Sequence, residues 1–147
     1  MLENGATTLW EDWKGTDGAK SHSHPMFGSI SAWFYRWLGG IQPAPEAVGF
    51  DRAIIRPHIT PDLEWVKSSH QTIRGRIVSN WEVTPDGTRF QITIPPDTTA
   101  IIELPAGETT ESGRPVGELD TLNPIYSSDS LQAFEVLSGS FDFLVKP

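Results

Sequence analysis

At Gln42-Pro43-Ala44-Pro45-Glu46 the hydrophobic rhythm of the chain changes, and that change limits what it can fold into. Upstream, apolar residues fall at Phe27, Ile30, Phe34, Trp37, Leu38 and Ile41, the spacing of one helical stripe. Pro25 suits a first helical turn, where its missing N–H is no loss, and Gly39-Gly40 offers a left-handed stop. The spacing predicts a helix over residues 25–39. Trp33 widens the stripe, and a helix that is apolar on more than one side is buried on more than one side.

Downstream the period is two. Residues 53–57, 63–70, 74–83, 89–94, 99–104, 130–137 and 141–145 read as strands, and Pro85-Asp86-Gly87 is a hairpin signal between the third and fourth. Short strands with frequent turns and no intervening helix predict an antiparallel β-sandwich, jelly-roll-like. Trp65 and Trp81 fall on strands at positions expected to point inward, and they read as sandwich core ahead of the alternative, sugar platforms. Residues 106–129, rich in Gly, Thr, Ser, Asp and Pro, read as a long surface connection with room for one short strand near Val116. The proline-rich segment is the expected boundary, giving domains 1–42 and 43–147.

Composition narrows the partners. The net charge of −8, from 11 basic and 19 acidic residues, argues against nucleic acid and anionic membranes, which need a basic footprint. Neutral ligands such as sugars stay open. With no cysteine, disulfides and thiolate metal sites are excluded. No apolar run approaches the roughly 18 residues of a membrane span. Met1-Leu2-Glu3-Asn4-Gly5 lacks a signal-peptide pattern, so the chain is either cytoplasmic or missing its true N-terminus. The second is favoured, and the compartment stays open.

Polar chemistry concentrates near the start. In Gly5-Ala6-Thr7-Thr8-Leu9-Trp10-Glu11-Asp12-Trp13 a carboxylate sits between two indoles. Turn residues Gly15-Thr16-Asp17-Gly18 follow, and then Ser21-His22-Ser23-His24-Pro25-Met26-Phe27-Gly28-Ser29 opens the helix. On the residues alone, Glu11 is either a working carboxylate or a solvated loop glutamate between anchoring indoles. His24 is either a ligand-facing imidazole or a helix-capping or core histidine, and His22 reads as surface. A zinc site from His22, His24 and Glu11 is a weaker reading, because two histidines at i and i+2 in a loop are poor metal spacing. No metal or other cofactor is expected.

These pieces, with Trp33-Phe34-Tyr35, Ile55-Arg56-Pro57, Gly75-Arg76-Ile77-Val78-Ser79-Asn80-Trp81, Ile94-Pro95-Pro96-Asp97-Thr98-Thr99-Ala100 and Leu137-Ser138-Gly139-Ser140-Phe141, resemble in order and spacing the C-terminal end of bacterial α-L-rhamnosidases of glycoside hydrolase family 78. The resemblance implies that residues 1 to about 41 are the last loop and last amphipathic helix of an (α/α)6 barrel, and the rest its C-terminal sandwich. It implies an inverting hydrolase acting on terminal α-L-rhamnose, with Glu11 as general base and with His24, Trp10 and Trp13 binding the sugar. Inversion needs a second carboxyl group roughly 6.5–9.5 Å away as general acid. The family's acid comes from the earlier barrel, which has no counterpart here, so the chain alone is expected to be inactive. A helix stripped of its neighbours exposes an apolar patch, so a homo-oligomer through residues 25–41 is expected. The alternative is a non-catalytic carbohydrate-binding or structural sandwich module.

Overall fold

A computed structural model describes residues 2–12 and 21–146. It divides into two compact units, Met1–Trp33 and Phe34–Pro147.

In the first unit, a helical turn over Leu2–Asn4 leads into a loop, and a second helical segment begins at Pro25. The predicted α-helix over residues 25–39 is a helical run of mixed geometry. It is 3₁₀ over Pro25–Ser29, α only over Ile30–Trp33 (α1), and π over Phe34–Leu38, where the second unit begins. The tight start follows from Pro25, which lacks the N–H, and from an i→i+3 bond in which Phe27 N–H donates to His24 C=O at 3.3 Å. The wide end is closed by Gly39 N–H donating to Phe34 C=O at 3.0 Å, an i→i+5 bond. Gly40 then turns left-handed at φ 69°, with its α-carbon against the Arg56–Pro57 backbone, so a side chain there would collide.

The second unit is the sandwich. The strands are β1 (Ile41–Pro43), β2 (Arg52–Ile55), β3 (Trp65–Thr72), β4 (Gly75–Thr84), β5 (Gly87–Ile94), β6 (Thr99–Pro105), β7 (Glu108–Glu111), β8 (Arg114–Pro115), β9 (Asn123–Ser127), β10 (Leu131–Val136) and β11 (Gly139–Lys146). One sheet runs β1-β2-β6-β10-β9 and the other β3-β4-β5-β11-β7-β8. The pairs are antiparallel except β2–β6, which is parallel with Ile55 opposite Ile102. The hairpin signal at Pro85-Asp86-Gly87 joins β4 to β5, with Thr84 opposite Gly87.

Alternation buries one side of each central strand, and the two buried sides form one core. Ile55, Ile102, Leu104, Phe134 and Val136 come from the first sheet; Ile77, Trp81, Phe90, Ile92, Phe143 and Val145 from the second. The rings of Phe134 and Phe143 stack across the gap at 6.3 Å. Trp81, 2% exposed, also donates its Nε1–H to the Leu38 carbonyl at 2.8 Å. That satisfies an indole donor and a carbonyl at the end of the helical run with one bond.

Two expectations fail in instructive ways. Trp65 is not core: it is 59% exposed, because its neighbour Val66 takes the inward position against the core. The stretch 106–129 is not a bare connection. It holds β7, β8 and β9, with a 3₁₀ turn over Val116–Glu118 where a short strand was expected. β9 is wholly exposed and β7 buries only Thr109, so neither shows a hydrophobic period. Part of the proline-rich segment is likewise paired: Gln42 and Pro43 lie in β1 opposite Ile54 and Ala53.

Candidate functional site

The loop of the first unit is built from two short chain segments clamped side by side. His24 N–H donates to Leu9 C=O at 2.7 Å and Glu11 N–H donates to Ser21 C=O at 2.9 Å. A third link joins the segments, the Thr8 hydroxyl donating to the His22 carbonyl. Ser21 braces the second segment, its hydroxyl donating to Ser23 C=O at 2.9 Å and accepting from Ser23 N–H at 3.2 Å. The segment bearing Glu11 and the segment bearing His24 are therefore neighbours, despite the interval between them.

Within that frame Trp10 is buried, 8% exposed, and the His22 ring stacks on it at 4.6 Å and 24°. His22, read from the sequence as surface, is exposed and serves as a cover for the indole. Glu11 is half-buried beside it. His24 is also half-buried, and its side chain makes no capping hydrogen bond to the helical segment that begins at Pro25. Its ring instead meets Met26, with Nε2 at 2.8 Å from Sδ, and lies 4.8 Å from the Phe27 ring. The cap alternative for His24 thus has no bond to support it. Trp13 lies outside the described residues. Among the described residues no group of three His, Cys, Asp or Glu side chains is placed to hold a metal ion.

A second polar centre lies in the sandwich, where Arg56, which reads in the sequence as a surface or interface charge able to pair with a carboxylate, meets a buried one. Arg56 donates from Nε and Nη2 to the two oxygens of Glu103, each at 2.5 Å. Glu103 is 4% exposed while Arg56 is half open to solvent. Burial works to raise the Glu103 pKa, but hydrogen bonds from Arg56 and Tyr126 and the Arg56 charge outweigh it, and the carboxyl lies below its ordinary value. Burial first, and then Glu103, push the Tyr126 phenol up. The bidentate Arg56–Glu103 pair joins the end of β2 to β6, and Tyr126 of β9 also lines a shallow depression of about 320 Å³ with Gln132 and Phe134. The signal for this centre was Glu103 in the otherwise apolar run Ala100-Ile101-Ile102-Glu103-Leu104.

Comparison with known proteins decides the family. Residues 40–118 match the family described as bacterial α-L-rhamnosidase C-terminal domain, which covers more than half the chain. The chain belongs to the bacterial α-L-rhamnosidase family. Residues 1–38, which contain Glu11 and His24, match the bacterial α-L-rhamnosidase 6 hairpin glycosidase domain. Among relatives, an α-L-rhamnosidase from Alteromonas sp. (strain LOR) is 35% identical over 113 residues, covering 71% of this chain and 12% of that protein. An α-L-rhamnosidase from Streptomyces avermitilis is 27% identical over 152 residues, covering 98% of this chain and 14% of that protein. Among solved structures, the α-L-rhamnosidase from Dictyoglumus thermophilum superposes with a TM-score of 0.82 at 31% identity, covering 100% of this chain and 17% of that one. The Streptomyces avermitilis α-L-rhamnosidase complexed with L-rhamnose gives 0.80 at 26%, covering 99% and 14%. This rhamnosidase-family chain therefore spans about an eighth to a sixth of the length of the relatives it matches.

Proposed function

We propose that these residues are the C-terminal part of an inverting α-L-rhamnosidase that removes terminal α-L-rhamnose from glycosides. Residues 1–42 would close the catalytic barrel and residues 43–147 would form its supporting sandwich. Glu11 is the general base, taking a proton from the water that attacks the anomeric carbon. His24 hydrogen-bonds the sugar, and Trp10 and Trp13 wall the pocket. The observation that carries this reading is the clamped pair of segments, which keeps the half-buried Glu11 beside the chain that bears an uncapped His24. The match of residues 1–38 to the glycosidase domain supports it.

Base catalysis needs a carboxylate within reach of water and, across the sugar, an acid for the leaving oxygen. Glu11 is one carboxylate and cannot perform both transfers. The 147-residue chain by itself is therefore inactive. Incubated with nitrophenyl α-L-rhamnoside, it should release no nitrophenol above background; release that disappears in Glu11→Gln overturns this. Grafted in place of the matching segment of a complete relative, the chain should support turnover, with kcat lowered about 10²–10⁴-fold by Glu11→Gln. Proton NMR of the first-formed sugar should show the β anomer, as inversion demands.

In the isolated chain the helical run leaves apolar side chains open in each unit: Met26, Phe27 and Ile30 in the first, and Tyr35 and Trp37 in the second, are each about half exposed or more. Such a surface drives association. A second copy covers it, through residues 25–41, and light scattering should report a dimer or larger. A monodisperse monomer with these side chains wet counts against it.

A further inference from the structure

The outer side of the second sheet carries side chains that neither the core nor the Glu11 region uses. Across β3–β4 the register sets Trp65 opposite Glu82 and Lys67 opposite Asn80. Across β4–β5 it sets Asn80 opposite Gln91 and Glu82 opposite Arg89. The intervening Ser79, Trp81, Phe90 and Ile92 are buried, so alternation turns all six of these residues outward. They line a depression of about 150 Å³. Asn80 and Gln91 also line a second depression of about 340 Å³ with Thr93, Ser140 and Asp142, so the two share a wall and form one groove.

The groove has the parts of an amphipathic-ring site. Trp65 presents an indole that is 59% exposed, with the Lys67 ammonium 5.8 Å from its centroid. Asn80 accepts a hydrogen bond at Oδ1 from Ser68 N–H at 3.1 Å, which fixes the amide and leaves its NH₂ as the outward donor. Arg89 pairs with Asp142, with Nε to Oδ1 at 2.8 Å, so the far end carries a cation already matched by a carboxylate. The charges of Lys67, Arg89, Glu82 and Asp142 cancel, on a chain whose net charge is −8. A phosphate-bearing ligand has no electrostatic hold here.

We propose that this groove binds a neutral oligosaccharide, with one pyranose ring stacked on Trp65 and its neighbour held by Asn80 and Gln91. A pyranose offers an apolar C–H face to an indole and a rim of hydroxyls to amides and charged groups. The groove supplies both complements side by side. The Lys67 side chain, exposed and flexible, lends a donor to a hydroxyl or swings aside from the ring. The site shares no residue with the proposed base and its sugar-binding neighbours, so it stands or falls separately from them.

The test is a two-dimensional NMR titration of the 147-residue chain with methyl α-L-rhamnoside, methyl β-D-glucoside and cellotetraose. The side-chain amides of Asn80 and Gln91 and the Trp65 indole N–H are the reporters. Saturable shifts are expected with at least one probe, tighter for the tetrasaccharide than for its monosaccharide. Trp65→Ala and Gln91→Ala should each weaken binding about tenfold, Trp65→Phe less, and Glu11→Gln should leave it unchanged. Trp65 and Gln91 are exposed, so these variants keep the fold, and a matching thermal midpoint verifies it. The proposal is overturned if no reporter saturates with any probe up to about 50 mM. It is equally overturned if Trp65→Ala and Gln91→Ala bind as well as the parent, or if Glu11→Gln abolishes the shifts, which would move the ligand to the proposed base.

Discussion

Trp10 and Trp81 are both buried indoles, and the difference in what surrounds them separates the two units of this chain. Trp81 sits among aliphatic and aromatic side chains drawn from two sheets. Trp10 is the only buried hydrophobic side chain among the described residues of the first unit, and one of its neighbours is an exposed histidine. The sandwich encloses its own apolar surface. The described residues of the first unit hold polar groups in place with backbone rungs, and Trp10 is all the hydrophobic side chain they bury. A segment without a core of its own adds little to a cooperative interior, and this is why the sandwich, and not the loop, is expected to set the stability of the chain.

The sharpest way to break that contrast is to truncate each indole. Trp81→Ala removes a ring from a packed interior and leaves the Leu38 carbonyl without its donor, at a cost of about 3–5 kcal/mol. That is a large share of the stability of a domain this size. Trp10→Ala should lower the unfolding free energy from urea titration by less than about 1 kcal/mol, because the first unit adds little to the cooperative core. Equal losses would mean that the two units unfold as one.

The second effect concerns the buried carboxylate. Arg56→Met leaves Glu103 without its cation, and because Arg56 is half exposed and water can partly replace it, the expected loss is about 1–3 kcal/mol. Arg56→Met combined with Glu103→Leu should recover part of it. The pH dependence has a definite sign. The Glu103 pKa is lowered on folding from an ordinary value of 4.5, so the unfolded chain binds its proton more readily. The stability this supplies is present above pH 4.5 and drains away as pH falls through the lowered folded value. Glu103→Gln should flatten the urea midpoint against pH in that acid window, and an unchanged slope would remove Glu103 from the account.

Much of this architecture was legible because burial writes itself as alternation. Residues 74–83 and 89–94 read as strands, since Ile77, Ser79 and Trp81 and then Phe90, Ile92 and Ile94 turn inward. Alternation defines two faces but does not say which one is dry, and so Trp65 was assigned inward; its cross-strand partner Glu82 held the clue. Strands that bury nothing leave no rhythm at all: Asn123–Ser127 is fixed by backbone pairing to β10 and not by its own side chains. The helical run was legible in place but not in geometry, since the spacing of apolar residues does not distinguish 3₁₀, α and π windings over so short a span. Glu11 and His24 stood out in the loop because of their neighbours, and the pairing of the two segments that bear them follows from two backbone rungs that no side-chain pattern announces.

The smallest expected effect is also the cleanest control on what burial contributes. Arg89 grips Asp142 through the same pair of nitrogens that Arg56 uses on Glu103, with Nε to Oδ1 at 2.8 Å and Nη2 to Oδ2 at 2.5 Å. The Arg89 hydrogen bond lowers the Asp142 pKa and the carboxylate raises that of Arg89, so by geometry alone the two pairs are alike. They differ in exposure: the Asp142 side chain is 38% exposed and that of Glu103 4%. Water competes freely for Asp142 and screens its partner, whereas at Glu103 it reaches the pair only from the Arg56 side. Arg89→Met should therefore leave the urea midpoint unresolved from that of the parent, and raising the salt concentration should change neither. Should Arg89→Met cost as much as Arg56→Met under the same conditions, the bidentate geometry and not the burial of the carboxylate would be what stabilises both pairs.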